Sequence, residues 1–221
     1  MTIAVVIFAS LILALVGWLF AQSLHTRPWV AQGPAFDLTS PSARSRQLWR
    51  VTLMVIMAVV ASVFGLFMSA YLIRMDYGDW RPLQDPALLW ANTGVLVLCS
   101  VLLQLAWGAA RRGQDALLKL TWLGGGAMSL VFIGGQYVVW RQLNAAGFYL
   151  DHNPASAFFF VLTGLHVLHL LGGLVAWGRT TIRMGAGGAS AGVRLGIELC
   201  ALYWHFLLAV WAVLFALLST T

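Results

Sequence analysis

The sequence predicts an all-α fold: a polytopic transmembrane helix bundle of six spans, with both termini on the non-cytoplasmic side. Three observations carry this reading. The 221 residues are 61% hydrophobic and only 9% charged, against about a quarter charged in soluble domains, so the chain cannot cover a water-facing surface. Six apolar stretches reach the roughly 20 residues that cross a bilayer as a helix. Lys and Arg divide unevenly between the connections, which reports orientation. A soluble enzyme, a disordered chain and a disulfide scaffold are excluded together. The net charge of +6 is scattered between apolar runs and forms no patch for nucleic acid. Cys99 and Cys200 sit inside apolar runs without a CxxC spacing.

The spans fall near 2–24, 51–74, 87–110, 116–142, 155–178 and 193–219. The first lacks a basic n-region and is too long for a signal-peptide core, so it reads as a retained span. Residues 25–50, with Pro28, Gly33, Pro34 and Pro41, read as a loop, and 75–86, with two prolines and Trp80, as a turn at the interface. The Gly/Ala/Ser-rich segment 179–192 reads as the most mobile connection. Ten basic residues flank one side (Arg27, Arg44, Arg46 and Arg50, then Arg111, Arg112 and Lys119, then Arg179, Arg183 and Arg194), against Arg74, Arg81 and Arg141 on the other. The richer side is cytoplasmic. The runs are continuous rather than alternating, against a β-barrel, and no repeat period suggests a solenoid.

Polar groups inside hydrocarbon are costly and retained for a reason. Here they are Asn92, Thr93, Gln104, Gln136, His166, His169, Glu198 and His205. His166 and His169 share a helix face. His169 and His205 lie at matched depths, roughly 21 Å below one surface at 1.5 Å per residue, the arrangement a bis-histidine haem would need. Without a second matched pair or a CxxCH, hydrogen bonding and packing is the favoured reading. Glu198, one turn beyond Arg194, reads as half of an ion pair rather than a proton relay, since no second acid lies in a span. The glycines at 124–126, 134–135, 164 and 172–173 read as close helix packing, and Trp80, Trp140, Trp177, Tyr137 and Tyr149 as an interfacial belt.

Taken in order, the motifs carry more. Span two closes with Tyr71-Leu-Ile-Arg74, followed by Asp79-Trp80-Arg81-Pro82. Span three opens with Asn92-Thr93, and span four ends in Phe132-Ile-Gly-Gly-Gln136-Tyr-Val-Val-Trp140. Span five reads Thr163-Gly-Leu-His166-Val-Leu-His169, and span six reads Tyr203-Trp204-His205-Phe206 with Trp211 beyond. This order resembles subunit III of the haem–copper oxidases, the cytochrome c and quinol oxidase family, over roughly residues 46–219. The resemblance implies a division into an N-terminal span with its cytoplasmic loop, 1–45, and a five-helix bundle, 46–221. It also implies a non-catalytic, multi-pass subunit of a prokaryotic-type cell (inner) membrane. Such a subunit packs on subunit I and holds phospholipid between helix groups. It carries no redox cofactor or metal site of its own; haem and copper belong to partner subunits. His166, His169, His205, Trp204, Gln136 and Glu198 are then the inter-helix polar seam or the lipid-binding residues.

The sequence departs from the family where many members carry acids. Ser62 is followed by Val63 rather than Glu, Val139 precedes Trp140, and Leu207-Leu208 follow Phe206. Proton collection through those acids is therefore not expected. Three other readings stay open: an accessory subunit of a nitric oxide reductase-type complex, a small bis-histidine b-type cytochrome, and a stand-alone transporter. The last lacks a broken-helix pair, an inverted repeat and an intramembrane charge cluster.

Overall fold

A computed structural model describes residues 41–77, 80, 87–150, 153–187 and 190–219, and every regular element among them is a helix. The elements are α1 (Pro41–Arg74), α2 (Leu88–Arg112), α3 (Asp115–Ala145), α4 (Pro154–Gly187) and α5 (Ala191–Ser219). All five are long and apolar enough to cross a membrane. Helix is what this composition must form in lipid, where every backbone N–H and C=O has to be bonded within its own segment. The span read near 2–24 lies outside the described residues.

Two boundaries differ from the sequence reading. Residues 41–50 are the opening turns of α1 rather than loop. Pro41 suits a first helical position, where no N–H is needed, and the following Ala, Arg and Gln residues favour helix. Likewise α4 runs on to Gly187, absorbing much of the segment read as a flexible connection. Thr180 and Thr181 each return their hydroxyl to the carbonyl four residues back, at 3.0 and 2.9 Å, within that extension.

The helix ends have local causes. α2 stops at Gly113, which adopts φ +70° and, with Gln114, donates its N–H to Ala109 O. α3 ends similarly: Gly147 has φ +86°, and Phe148 N–H reaches back to Leu143 O at 3.0 Å. A left-handed residue with a six-to-one bond is a Schellman-type stop, and glycine takes it without a Cβ penalty. α4 begins at Asn153, whose side-chain oxygen accepts the N–H of Ala155 at 3.2 Å, with Pro154 at the first helical position.

The bundle proper is the unit Leu53–Ser219. In it α2 packs on α3, α3 on α4, α4 on α5 and α5 back on α2, closing a four-helix ring. α5 is the most enclosed helix. α1 buries one stripe, Met57, Val60, Phe64, Met68 and Tyr71, at three- and four-residue spacing. From that stripe Phe64 meets His169 (centroids 5.5 Å) and Tyr71 meets Phe158 (5.5 Å) on α4.

Some of the glycines are sites of close approach. A Cβ on Gly125 would stand 2.7 Å from Leu103, and one on Gly126 would run into the Trp177 ring. Gly135 leaves room for the Asn92 side chain, and Gly173 for Tyr203 and Trp204. Gly134, Gly164 and Gly172 face open space, so the packing reading does not extend to them within this chain. The two kinds of glycine predict opposite outcomes. Gly126→Ala should cost about 1–3 kcal/mol by overpacking and lower the thermal midpoint in mild detergent. Gly134→Ala should hold or raise it, by up to about 1 kcal/mol of helix propensity. Equal behaviour of the two variants would contradict the packing described.

Candidate functional site

The interior is joined helix to helix by one repeated device. Trp204 Nε1–H on α5 donates to Ser129 Oγ on α3 at 2.9 Å. Trp211 on α5 donates to Thr93 Oγ1 on α2 at 3.0 Å. Trp140 on α3 donates to Thr163 Oγ1 on α4 at 3.0 Å, and Trp122 on α3 to Thr181 Oγ1 on α4 at 2.8 Å. Each accepting hydroxyl in turn donates to the carbonyl four residues back, those of Gly125, Leu89, Phe159 and Trp177, at 3.0, 2.8, 2.6 and 2.9 Å. The hydroxyl thus spends its proton on its own helix and offers a lone pair to the neighbour. An indole N–H is donor-only, so in hydrocarbon this arrangement settles it.

Two further contacts extend the seam. Asn92 on α2 donates through Nδ2 to Phe132 O (3.2 Å) and to Gln136 Oε1 (3.4 Å) on α3, where Gly135 makes room for it. Cys99 Sγ donates to Gly125 O at 3.2 Å and lies 3.1 Å from Ser129 Oγ. Asn92, Gln136, Cys99, Ser129, Trp204 and Trp211 are all buried. These polar residues of α2, α3 and α5 are therefore turned towards one another.

The residues singled out from the sequence fall into distinct settings. Gln136 and Trp204 bond across helices as above. His166 is fully buried among the rings of Trp211 (5.1 Å), Phe132 (5.9 Å) and Phe64 (6.3 Å), and neither ring nitrogen has a hydrogen-bond partner. His169 and His205 are half-buried, and each Nδ1 is held by a carbonyl of its own helix, Leu165 O at 2.7 Å and Ala201 O at 2.6 Å. Tyr203 Oη–H donates to His169 O at 3.2 Å, tying α5 to α4. Glu198 is half-buried on α5, one turn from Arg194. Among the described residues, no group of three or more His, Cys, Asp or Glu is placed to hold a metal ion.

The aromatic belt is corrected in part. Tyr137 and Tyr149 are exposed, at 58% and 49%. Trp140 is half-buried and bonded to Thr163, and Trp177 stacks on Trp122 at 6.0 Å while donating to Trp122 O at 3.2 Å. Trp80 packs edge-on against Tyr71 at 4.8 Å. Position near a span end suggested a headgroup role for these three; they turn inward instead, Trp140 and Trp177 bonding their N–H groups to neighbouring helices and Trp80 enclosing its ring against Tyr71 and Phe158. Sequence reasoning also missed Ser129, Thr163, Thr181 and Trp122. The available signal was the number of tryptophans, 11 in all, each needing an acceptor.

Fold and interior define a multi-pass helical membrane protein whose polar groups serve the contacts between its own helices. Its family follows from comparison. The profile of the family described as cytochrome c oxidase subunit III matches residues 51–220. The chain is 31% identical over 172 residues to cytochrome c oxidase subunit 3 of Synechocystis sp., covering 73% of this chain and 70% of that one. It is 31% identical over 159 residues to the same-named protein of Thermostichus vulcanus, covering 70% and 77%. It is also 27% identical over 179 residues to a protein of Aeropyrum pernix named heme-copper oxidase subunit I+III, covering 76% of this chain and 22% of that one. The chain belongs to the cytochrome c oxidase subunit III family, and is a multi-pass membrane protein of the prokaryotic-type cell membrane.

The seam makes a direct prediction. In a double-mutant cycle of Trp204→Phe and Ser129→Ala, unfolding of the detergent-solubilised chain should show a coupling of about 0.6–1.7 kcal/mol, the range for inter-helix hydrogen bonds in membranes. Additive effects of the two substitutions would contradict the bond.

Proposed function

We propose that this chain is the non-catalytic subunit III of a haem–copper terminal oxidase. It packs on subunit I, retains phospholipid against its outer faces and supports sustained turnover without handling oxygen. The observation that carries this reading is the family match across all five described helices. The Aeropyrum pernix relative, whose name joins subunits I and III in one chain, supports a place beside the catalytic subunit. On this reading haem and copper in partner subunits supply the redox chemistry. This chain's own residues supply a stiff apolar wall and keep water and stray polar groups away from it.

In that role the proposed site is a seam. Gln136 and Trp204 lock α3 to α2 and α5. His166 and His169 fill the junction with α1 as compact aromatic groups, His205 occupies the matching depth on α5, and Glu198 lies near the basic end of that helix. We further propose six spans, counting residues 2–24, with both termini on the non-cytoplasmic side. This places residues 1–45 as an entering span with its cytoplasmic connection into the first turn of α1, and 46–221 as the five-helix bundle. The exposed faces of α1 and α4, with Val55, Val59 and Leu66, and with Leu168 and Val175, are apolar enough for acyl chains to lie along them. The absence of acids at Val63 and Val139 favours structural support over proton collection.

The reading is tested by purifying the complex in mild detergent through a tag on this chain, then identifying the co-purifying polypeptides and bound lipids by mass spectrometry. A haem–copper catalytic subunit and stoichiometric phospholipid are expected. Recovery of the chain alone would contradict the assignment. So would a Soret band with stoichiometric haem in the isolated chain.

A further inference from the structure

Of the three amides that lie well inside the described spans, Asn92 and Gln136 are buried and bonded to one another. Gln104 differs. It is exposed on the outer side of α2, and its side chain has no hydrogen-bond partner among the described residues. It precedes Arg112, the last residue of α2, by eight positions, or about 12 Å along the axis. Arg111 and Arg112 suit the headgroup level there. A glutamine side chain is too short to reach back over that distance as a Lys or Arg stem does. Hydrocarbon tails offer its carboxamide no donor or acceptor, so exposure to lipid leaves it unsatisfied.

The residues around it form a seam. Gly94, Val97, Val101, Gln104 and Gly108 follow one another at alternating three- and four-residue intervals, the spacing that keeps a stripe facing one partner helix. Val97 and Val101 are 45% and 49% exposed. A Cβ on Gly94 or Gly108 meets nothing within 4 Å, so these glycines do not serve packing inside this chain. Glycine on an outer face admits close approach by another backbone, and an amide between two such glycines can hydrogen-bond across the contact.

We infer that this face of α2 docks a transmembrane helix of the catalytic subunit, one presenting a hydroxyl, an amide or an uncovered carbonyl opposite Gln104. The inference rests on the oxidase-subunit reading above and adds to it the surface and the chemistry of contact. The catalytic subunit is preferred as occupant because a relative combines subunits I and III in a single polypeptide, which puts such a helix within reach of this bundle.

The test uses the whole complex in native membranes, with a photo-crosslinking amino acid at position 104. An adduct with the catalytic subunit is expected. If the oxidase subunits co-purify but the adduct forms only with lipid, with a second copy of this chain or with its own N-terminal segment, the inference is overturned and the oxidase reading stands. If no oxidase subunit co-purifies, that reading fails and the inference fails with it. Two substitutions give an independent measure. Gln104→Leu should lower recovery of the catalytic subunit after a detergent wash by about three-fold, the effect of one inter-helix hydrogen bond. A Cβ at Gly108 meets nothing within 4 Å in this chain, so Gly108→Leu, with an unchanged thermal midpoint of the isolated chain as its control, should lower recovery further. Unchanged recovery with both would overturn the inference.

Discussion

A tryptophan N–H placed in hydrocarbon has to find an acceptor, and most of this bundle's internal arrangement follows from that need. Lipid tails are as apolar as the side chains, so the hydrophobic effect does not draw the helices together as it does in a soluble core. Association depends on close packing and on polar groups that cannot be satisfied in lipid. Trp122, Trp140, Trp204 and Trp211 each reach a hydroxyl on another helix. Each of those hydroxyls is already anchored to its own helix one turn back. The acceptor is therefore held in position before the indole arrives, and the pair sets both the distance and the register of the two helices. Gly126 lies against the Trp177 ring and Gly173 against the Tyr203 and Trp204 rings, so backbone room and hydrogen bonding act at the same interfaces.

This economy of polar groups bears on what the chain can do. Of the polar residues marked in the sequence, Asn92, Thr93, Gln136 and Trp204 are engaged in contacts between helices of the bundle, while Gln104 faces outward. His166 is closed in by three aromatic rings, and His169 and His205 are turned onto carbonyls of their own helices. A protein built this way is suited to holding a shape in the membrane. On the proposed reading, a member of the subunit III family with such an interior contributes through its surfaces, to lipid and to the subunits beside it.

Much of the architecture was readable from the residues. Composition and five long apolar runs led to the five described helices within a few positions at most ends, because in lipid a long apolar run has no alternative to helix. The exceptions were polar. Residues 41–50 and 179–187 are helical although they carry the charges and small residues of loops, because a helix keeps its own hydrogen bonds after it leaves hydrocarbon. The ordered motifs around His166, Gln136 and Trp204 led to the family. They did not lead to the way the interior is joined. Ser129 and Thr181 are unremarked in the sequence and Thr163 enters only as the head of a motif, since a hydroxyl in a helix usually settles on the carbonyl one turn back and says nothing of a second bond. Trp140 and Trp177 pointed to an interface by their position, and only the packing reveals that each serves a neighbouring helix. Glycines told least: Gly126 and Gly134 are alike in sequence and opposite in setting.

The central claim, that indole-to-hydroxyl bonds hold the bundle together, is tested most directly by hydrogen exchange at the tryptophan side chains, followed by NMR of the chain carrying 15N-labelled tryptophan in mild detergent. The account predicts slow exchange at the indole N–H groups of Trp122, Trp140, Trp204 and Trp211, and fast exchange at Trp49 and Trp90, which are 60% and 64% exposed. Exchange at the four as rapid as at the exposed pair would contradict it.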